Sequence, residues 1–360
     1  MGKPLQFVGL GVVAALAFES AIRIEDRIRF GMPILGSVKG LDNLLVRDEF
    51  GKHGRPSVQW RKWRMNNVGT RGPDVTPIKP AGTRRIVVLG ASETFGLYES
   101  PGQEYPRQLE DSLRAACPAN AIEVLNAGAP GMSLPTFTQD FATRLAQLDP
   151  DIVVAYPTPA QYLDFATPRA ASPDSTGQDL VLPSRNGWYP RGADHLRNGL
   201  KTMVPAPLAT WFRQRAISGS LAAEPSRAVF TAVPADRLTR FGDDLRVLVG
   251  TIRREGAAPV LVTHGNQFVP GLPADEAKLS VWQRYYPLAA GRTLIGFDSA
   301  AALTTKQIAA DSAAIAIDFA GQLPATRADL FADFAHFTDR GAGRLAGAIA
   351  RALTTLACRP

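Results

Sequence analysis

From residue 84 onward, short apolar runs alternate with longer segments of helical spacing, and this alternation limits the fold more than any other feature. The runs that predict strands span residues 86–89, 122–126, 151–156, 259–263 and 315–319. Runs of mostly apolar residues are typical of strands buried on both faces of a parallel sheet. Because parallel strands need long crossover connections, the intervening helices fit the same arrangement. The sequence therefore predicts an α/β fold with a parallel five-stranded sheet.

The helical segments and two irregular regions complete the predicted organisation. The helical segments span residues 105–113, 136–148, 235–255, 279–314 and 339–356. Residues 23–83 are rich in glycine, proline and charge and predict an irregular lead-in. Residues 166–233 are rich in proline, glycine, serine and arginine, with one helical piece near 200–215. We interpret them as an insertion or cap over the carboxyl edge of the sheet, within a main domain spanning 84–358.

Residues 1–22 contain an apolar segment that predicts export from the cytoplasm. Residues 5–18 are apolar with few interruptions, which is shorter than the about 20 residues of a membrane-spanning helix. They fit a signal-peptide core, with Ala15 and Ala17 as a small-x-small cleavage pattern. An uncleaved anchor through residues 5–22 and a buried core helix are the open alternatives. We expect an extracytoplasmic protein, periplasmic or secreted, with inner-membrane attachment as one form.

Charge, histidine and cysteine content argue against several classes of function. The formal net charge of +7 is spread along the chain, without the basic block or aromatic–basic interleaving typical of nucleic-acid-binding proteins. The 4 histidines form no metal-binding pattern, and the 2 cysteines lie far apart. We therefore expect no nucleic-acid partner, no metal and no cofactor.

Ser92 is the candidate nucleophile. It lies on the turn Gly90-Ala91-Ser92 that leaves the first predicted strand, and ligands of open α/β sheets collect at the carboxyl ends of the strands. A serine that caps the next helix is the non-catalytic alternative. Asp333 and His336 lie on the loop after the last predicted strand, which reaches the same edge of the sheet. In this arrangement His336 accepts the Ser92 proton and Asp333 orients the imidazole.

Acyl transfer also requires hydrogen-bond donors for the developing oxyanion, each worth on the order of 3 kcal/mol. The backbone N–H of Ser92 is one candidate donor. Gly131, on the loop after the second predicted strand, is the other, because a residue without a side chain lets the backbone approach the substrate. A tight turn after a strand is the alternative role for this glycine.

Three motifs in this order resemble those of the SGNH (GDSL) hydrolase superfamily. They are Gly90-x-Ser92 after the first strand, Asn126-Ala127-Gly128-x-x-Gly131 after the second, and Asp333-x-x-His336 before the last helix. The resemblance covers residues 84–356 and implies a flavodoxin-like three-layer α/β/α sandwich. It also implies ester hydrolysis, or acyl transfer, through a covalent serine ester.

The sequence departs from the family pattern in two places. Ala91 replaces the aspartate that usually precedes the serine, which removes no catalytic group. The third strand runs into residues 156–162 without the family's Gly-x-Asn-Asp, whose asparagine donates to the oxyanion. Gln161 or Asn266 could supply a substitute donor. If neither does, the loss of one donor predicts a rate deficit of about 100-fold or more.

Our first expectation is a serine esterase that removes acyl groups, acetyl among them, from a carbohydrate or another cell-envelope substrate. An acyltransferase with the same triad is the second, and a non-catalytic binding protein on the hydrolase scaffold is the third, motivated by the missing asparagine. The lead-in motif Asn67-x-x-Thr70-Arg71-Gly72 resembles exported bacterial members of the family.

The implied fold also bears on the two cysteines. In a flavodoxin-like order, the first and last helices lie side by side on one face of the sheet. Cys117 follows the first of these helices and Cys358 follows the last. Export would allow a disulfide between them, and two unlinked thiols are the alternative, because the geometric requirement for a disulfide is strict.

Overall fold

The computed structural model contains a central parallel sheet and, before it, two small antiparallel pairs. The model describes residues 3–30, 34–35, 44–60, 62–164, 191–192, 196, 208, 228–269, 271–274 and 276–358. The antiparallel pairs are formed by β1 (Leu45–Asp48), β2 (Gly51–Gly54), β3 (Gln59–Trp60) and β4 (Trp63–Arg64). The parallel sheet contains β5 (Thr83–Gly90), β6 (Ala121–Asn126), β7 (Ile152–Tyr156), β8 (Ala258–Val262) and β9 (Ile315–Ile317).

The strand order of this sheet is β6-β5-β7-β8-β9, and every neighbouring pair is parallel. The α-helices are α1 (Lys3–Phe30), α2 (Ser92–Phe95), α3 (Tyr105–Ala116), α4 (Leu134–Asp140), α5 (Ala235–Arg254), α6 (Glu276–Tyr285), α7 (Gly291–Asp311), α8 (Phe319–Gln322) and α9 (Asp339–Ala357). This is the flavodoxin-like order, in which ligand sites lie outside the carboxyl ends of the strands. The predicted α/β fold with five parallel strands is confirmed.

The sheet is covered by helices on both faces, which gives the three predicted layers. Successive residues of a strand point to opposite faces, and β5 shows this directly. Ile86 and Val88 pack with α3 and α9, whereas Val87 and Leu89 pack with α4, α5 and α7. All four residues are fully buried. Burial on both faces is why the sequence of this strand lacks an apolar–polar alternation.

The segment before the sheet is more regular than predicted. Besides the antiparallel pairs, Arg71 forms a bridge to Asn126, where the Arg71 N–H donates to the Asn126 carbonyl at 2.8 Å. The buried Arg71 guanidinium also pairs with Glu104 at 3.1 Å, so the lead-in is tied to the main domain. Helix α1 continues to Phe30, beyond the predicted boundary at residue 22. Within the described ranges, no helix combines the length and the apolar character needed to cross a bilayer.

The predicted disulfide is present. Cys117 and Cys358 are joined, with their Cα atoms 5.1 Å apart. Cys117 caps α3 and Cys358 caps α9, and these two helices pack against each other on the same face of the sheet. The predicted cap at 166–233, with its helical piece near 200–215, lies outside the described residues except for 191–192, 196, 208 and 228–233.

Candidate active site

Ser92 lies where β5 turns into the short helix α2. The strand ends at Gly90, Ala91 caps the helix, and Ser92 is the first helical residue. A Cβ atom at Gly90 would overlap the Thr94 side chain, so this turn requires glycine. The Ser92 N–H belongs to the first helical turn, where backbone N–H groups have no partner within the helix. The turn therefore places both the hydroxyl and the N–H of Ser92 at the carboxyl edge of the sheet.

The structure brings the three predicted triad side chains together. The Ser92 Oγ lies 2.9 Å from Nε2 of His336, although the two residues are 244 positions apart in the chain. Nδ1 of His336 lies 2.8 Å from Oδ2 of Asp333. All three residues are buried. These distances fit a serine hydroxyl that donates to an imidazole, whose second nitrogen donates to a carboxylate.

Asp333 also fixes the loop that carries His336. Its Oδ1 accepts hydrogen bonds from the N–H groups of Ala335 at 3.0 Å and His336 at 2.9 Å. The Ala332 N–H donates to the His336 carbonyl at 2.7 Å. Tyr98 packs edge-on against the imidazole, with ring centroids 5.1 Å apart. One carboxylate thus sets both the backbone turn and the orientation of the imidazole.

Nearby carboxylates favour the protonated form of His336. Burial lowers the pKa of this imidazole, but the charges of Asp333, Glu93 and Glu99 outweigh burial and raise the pKa to about 9. Burial raises the pKa of the Glu99 carboxyl to about 7, although Lys62 opposes that shift. The neutral imidazole that can accept a proton is therefore the major form of His336 only in alkaline solution.

The loop after β6 carries Gly131 and is tied to α2. The Asn126 side chain donates to the Thr94 carbonyl at 2.9 Å and accepts from the Gly128 N–H at 3.0 Å. Gly131 has a φ of 73°, in the left-handed region that favours glycine. The second predicted motif is thus bonded to the helix that carries the nucleophile, and its last glycine has a backbone conformation that few other residues adopt.

Gln161 and Asn266, the two candidate substitutes for the family's asparagine, have other partners. Nε2 of Gln161 donates to the Met132 carbonyl at 2.8 Å, so this side chain supports the loop next to Gly131. Nδ2 of Asn266 donates to Asp298 at 2.6 Å. Among the hydrogen bonds of the described residues, neither amide contacts the Ser92 side chain. The structure therefore brings neither amide onto the serine.

The three motifs follow strands β5, β6 and β9 of a flavodoxin-like three-layer α/β/α fold. No protein-family model matches the chain, and a search of curated proteins finds no relative.

Solved structures of three enzymes named as acylhydrolases or esterases are similar to this chain. A lipase/acylhydrolase from Enterococcus faecalis has 17% sequence identity and a TM-score of 0.42, over 76% of this chain and 96% of that one. An acetyl xylan esterase from Geobacillus stearothermophilus has 16% identity and a TM-score of 0.43, over 77% and 97%. A putative acylhydrolase from Bacteroides fragilis has 11% identity and a TM-score of 0.42, over 78% and 91%. Similarities this distant support no conclusion about activity.

Next to Ser92, His336 and Asp333, the site contains a buried cluster that the sequence analysis missed. Glu93 follows Ser92 directly, and its Oε2 accepts from the Thr158 hydroxyl at 3.1 Å. Oε1 of Glu93 lies 3.5 Å from Nε2 of His264, whose Nδ1 lies 2.8 Å from Asp298. His264 ends the fourth predicted strand, but its carboxylate partners are distant in sequence, so spacing gave no signal. Asp298 lies within helix α7, and its burial is evident only from the structure.

No group of three or more histidine, cysteine, aspartate and glutamate side chains in the described part of the chain is arranged to hold a metal ion. The 3.5 Å separation of Glu93 and His264 is longer than a normal hydrogen bond, so we describe this contact as an ion pair. The site brings together a serine hydroxyl, two imidazoles and their carboxylate partners.

Proposed function

We propose that this protein is a serine esterase that acts through a covalent ester on Ser92. One observation carries the proposal: the Ser92 Oγ, the His336 imidazole and the Asp333 carboxylate form a hydrogen-bonded line with distances of 2.9 and 2.8 Å. This line lies at the carboxyl edge of a parallel sheet, where ligands of such folds bind. A serine that only caps α2 would need no imidazole partner, and the capping position of α2 is occupied by Ala91 rather than Ser92.

In the proposed reaction, Ser92 Oγ attacks the carbonyl carbon of the ester while Nε2 of His336 takes the hydroxyl proton. The N–H groups of Ser92 and Gly131 donate to the resulting oxyanion. As the intermediate collapses, the protonated His336 gives its proton to the leaving alcohol, and the acyl group remains on Ser92. A water molecule, deprotonated by His336, then attacks the acyl carbon. The bond to Ser92 Oγ breaks, His336 returns the proton to Ser92 Oγ, and the acid leaves. Throughout, Asp333 orients the imidazole and stabilises its charged form.

The proposed substrate is a small acyl ester, acetyl among the acyl groups, on a carbohydrate or another component of the cell envelope. The support for this class is the resemblance of the three motifs and the apolar N-terminal segment, which together suggest an extracytoplasmic enzyme. Residues 5–22 would then serve as a leader or as an attachment to the inner membrane. Rates on p-nitrophenyl acetate, butyrate and octanoate test the acyl size, and the acetate esters should react fastest.

A fluorophosphonate probe tests the serine mechanism. We expect wild type to be labelled on Ser92 and Ser92→Ala to be unlabelled, because the probe reacts only with an activated serine. Ser112→Ala is the matched control, since Ser112 is exposed on α3 and donates only to the Gln108 carbonyl. The control should label and hydrolyse p-nitrophenyl acetate like wild type. Absence of labelling in folded wild type would refute the esterase and favour the binding protein.

The same acyl-enzyme would serve an acyltransferase in which a sugar hydroxyl replaces water. Incubation with an acetyl donor and a glycan separates the two reactions. Free acetate in proportion to donor consumed supports the esterase, whereas acetylated glycan with little free acetate supports the transferase.

A further inference from the structure

The Glu93 carboxylate contacts the nucleophile but has no role in the triad. Its Oε2 lies 3.3 Å from the Ser92 Oγ and 3.1 Å from the Thr158 Oγ. Glu93 is only 2% exposed. The single Ser92 proton thus has two acceptors within reach, Glu93 on one side and His336 at 2.9 Å on the other.

On the side of Glu93 away from Ser92, His264 contacts Glu93, and Asp298 contacts His264. His264 lies 3.5 Å from Glu93 and 2.8 Å from Asp298, and Asn266 donates to the second Asp298 oxygen at 2.6 Å. All of these side chains are buried. We call Glu93, His264 and Asp298 the second relay. It runs from the nucleophile into the protein, on α2, the end of β8 and α7.

The side chains of the second relay favour the ionised form of Glu93. Burial raises the pKa of the Glu93 carboxyl, but His264 and the charge of His336 outweigh burial and lower the pKa to about 2. Burial lowers the pKa of His264, but Asp298 and Glu93 outweigh it and raise the pKa to about 10. A buried carboxylate without such a partner would be protonated instead. At neutral pH Glu93 is therefore ionised and His264 is an imidazolium.

We propose, on the basis of the esterase function above, that Glu93 is a positioning residue that orients the Ser92 hydroxyl through its 3.3 Å contact with the Ser92 Oγ. When His336 is protonated it donates to the Ser92 Oγ, and the serine proton then points to Glu93. This pair is stable but cannot react, because the imidazole has no free lone pair. When His336 loses one proton, the serine proton turns toward Nε2, and Ser92 can then attack an ester.

The sign of the pH effect follows from the charges around His336. The charged or titratable groups that face it are Asp333 on its own loop, Glu93 on α2, and Tyr98 and Glu99 on the segment after α2. Those that face Glu93 are His264, His336, Tyr105, Tyr156 and Tyr286. Because Glu93 is negative, its neutralisation lowers the pKa of His336. The rising limb of activity should therefore move to lower pH.

Glu93→Gln is the central experiment, read as the pH dependence of kcat/KM on p-nitrophenyl acetate. We expect the rising limb to move to lower pH by about one unit, for charges a few ångströms apart in a buried site. We also expect the plateau to fall severalfold, because Gln orients the serine less well. Glu93→Asp keeps the charge and should keep the wild-type limb. Glu110→Gln removes a buried carboxylate on α3, remote from the site. It should change neither the pH of the rising limb nor the height of the plateau.

The outcomes separate the two proposals. If folded wild type neither labels with fluorophosphonate nor hydrolyses the ester, the esterase proposal fails. If wild type is active but Glu93→Gln keeps its pH limb, the role of Glu93 is refuted while the esterase stands. Should Glu93→Gln not fold, a nitrogen-15 NMR titration of the histidines in wild type decides, with His264→Gln for assignment. His264 protonated from pH 6 to 9 supports the second relay, and an ordinary titration near pH 6.5 overturns it.

Discussion

The disulfide between Cys117 and Cys358 allows the sharpest prediction about stability. It joins the ends of α3 and α9, helices that pack on one face of the sheet, with Cα atoms 5.1 Å apart and 241 positions between them in sequence. The perturbation is Cys117→Ala combined with Cys358→Ala. Because alanine removes the cross-link and little else, the variant should fold but unfold more easily.

The size of the effect follows from the length of the closed loop. For 241 positions, the chain-entropy model gives about 5 kcal/mol of stabilisation by the cross-link, an upper value for native disulfides. The unfolding entropy of a chain of 360 residues is large, so each kcal/mol moves Tm only slightly, and the full effect corresponds to about 7 °C. The lost contacts of the buried Cys117 sulfur add to this in the same direction.

Thermal unfolding followed by circular dichroism measures the effect, with wild type oxidised, wild type reduced and the double variant side by side. Reduced wild type and the double variant should both unfold several degrees below oxidised wild type. Reductant should leave the Tm of the double variant unchanged, which controls for other effects of the reagent. Equal Tm values for all three samples would refute the reasoning. So would two titratable thiols in wild type denatured without reductant.

The remaining predictions concern the site. His336→Gln should lower kcat on p-nitrophenyl acetate about 1,000-fold or more, and Asp333→Asn should lower it severely too, while both keep the wild-type Tm within a few degrees. Gly341→Ala places a Cβ against the Leu330 carbonyl, so calorimetry should show a destabilised protein with slower fluorophosphonate labelling. Burial raises the pKa of Glu99 from 4.5 to about 7. The stability that the protonated Glu99 carboxyl contributes to the folded state is therefore lost as pH rises through 7. Glu99→Gln should accordingly reduce the decline of Tm between pH 5 and 8.

Much of the fold could be predicted because its strands are buried on both faces. The predicted run at 86–89 is the apolar centre of β5, which extends from Thr83 to Gly90. The sequence did not indicate that Arg85 belongs to the strand, because a charged residue normally ends a buried run. Arg85 is fully buried and is satisfied by Glu123 at 2.8 Å and by backbone carbonyls. Such compensation depends on contacts distant in sequence, and periodicity does not contain them.

The predicted helix at 136–148 shows a second kind of limit. In the structure, helix α4 begins at Leu134 and ends at Asp140. A π-helical turn at Phe141–Leu145 follows it. In that turn the Ala146 N–H donates to the Phe141 carbonyl. Both Phe141 and Leu145 are buried in the core beside the sheet. Tertiary packing therefore selects a wider turn where helical spacing alone predicts a continuous α-helix.

The proximity of Ser92, His336 and Asp333 could be predicted because their signals are local. Asp333 and His336 are three residues apart, and Ser92 lies directly after a strand, so chain order and topology suffice to place them at one edge. The contact between His264 and Glu93 has no local sequence signal, because the two residues are more than 170 positions apart in the chain. The second relay also depends on a helix whose rotation the sequence does not fix. Buried polar clusters of this kind become visible only once the sheet is assembled.

The second relay bears on the missing third-motif asparagine. By the resemblance, the family's asparagine would fall at Pro159 or Ala160, and neither residue has a side-chain donor. The neighbouring Thr158 hydroxyl donates to Glu93. A carboxylate beside the nucleophile stabilises the imidazolium that forms on His336 during attack, but it opposes the oxyanion that forms in the same step. The two N–H groups proposed for the oxyanion, on Ser92 and Gly131, must offset that repulsion alone. A site with these charges should therefore react slowly with esters of poor leaving groups, and its pH dependence should reflect Glu93 as much as the triad.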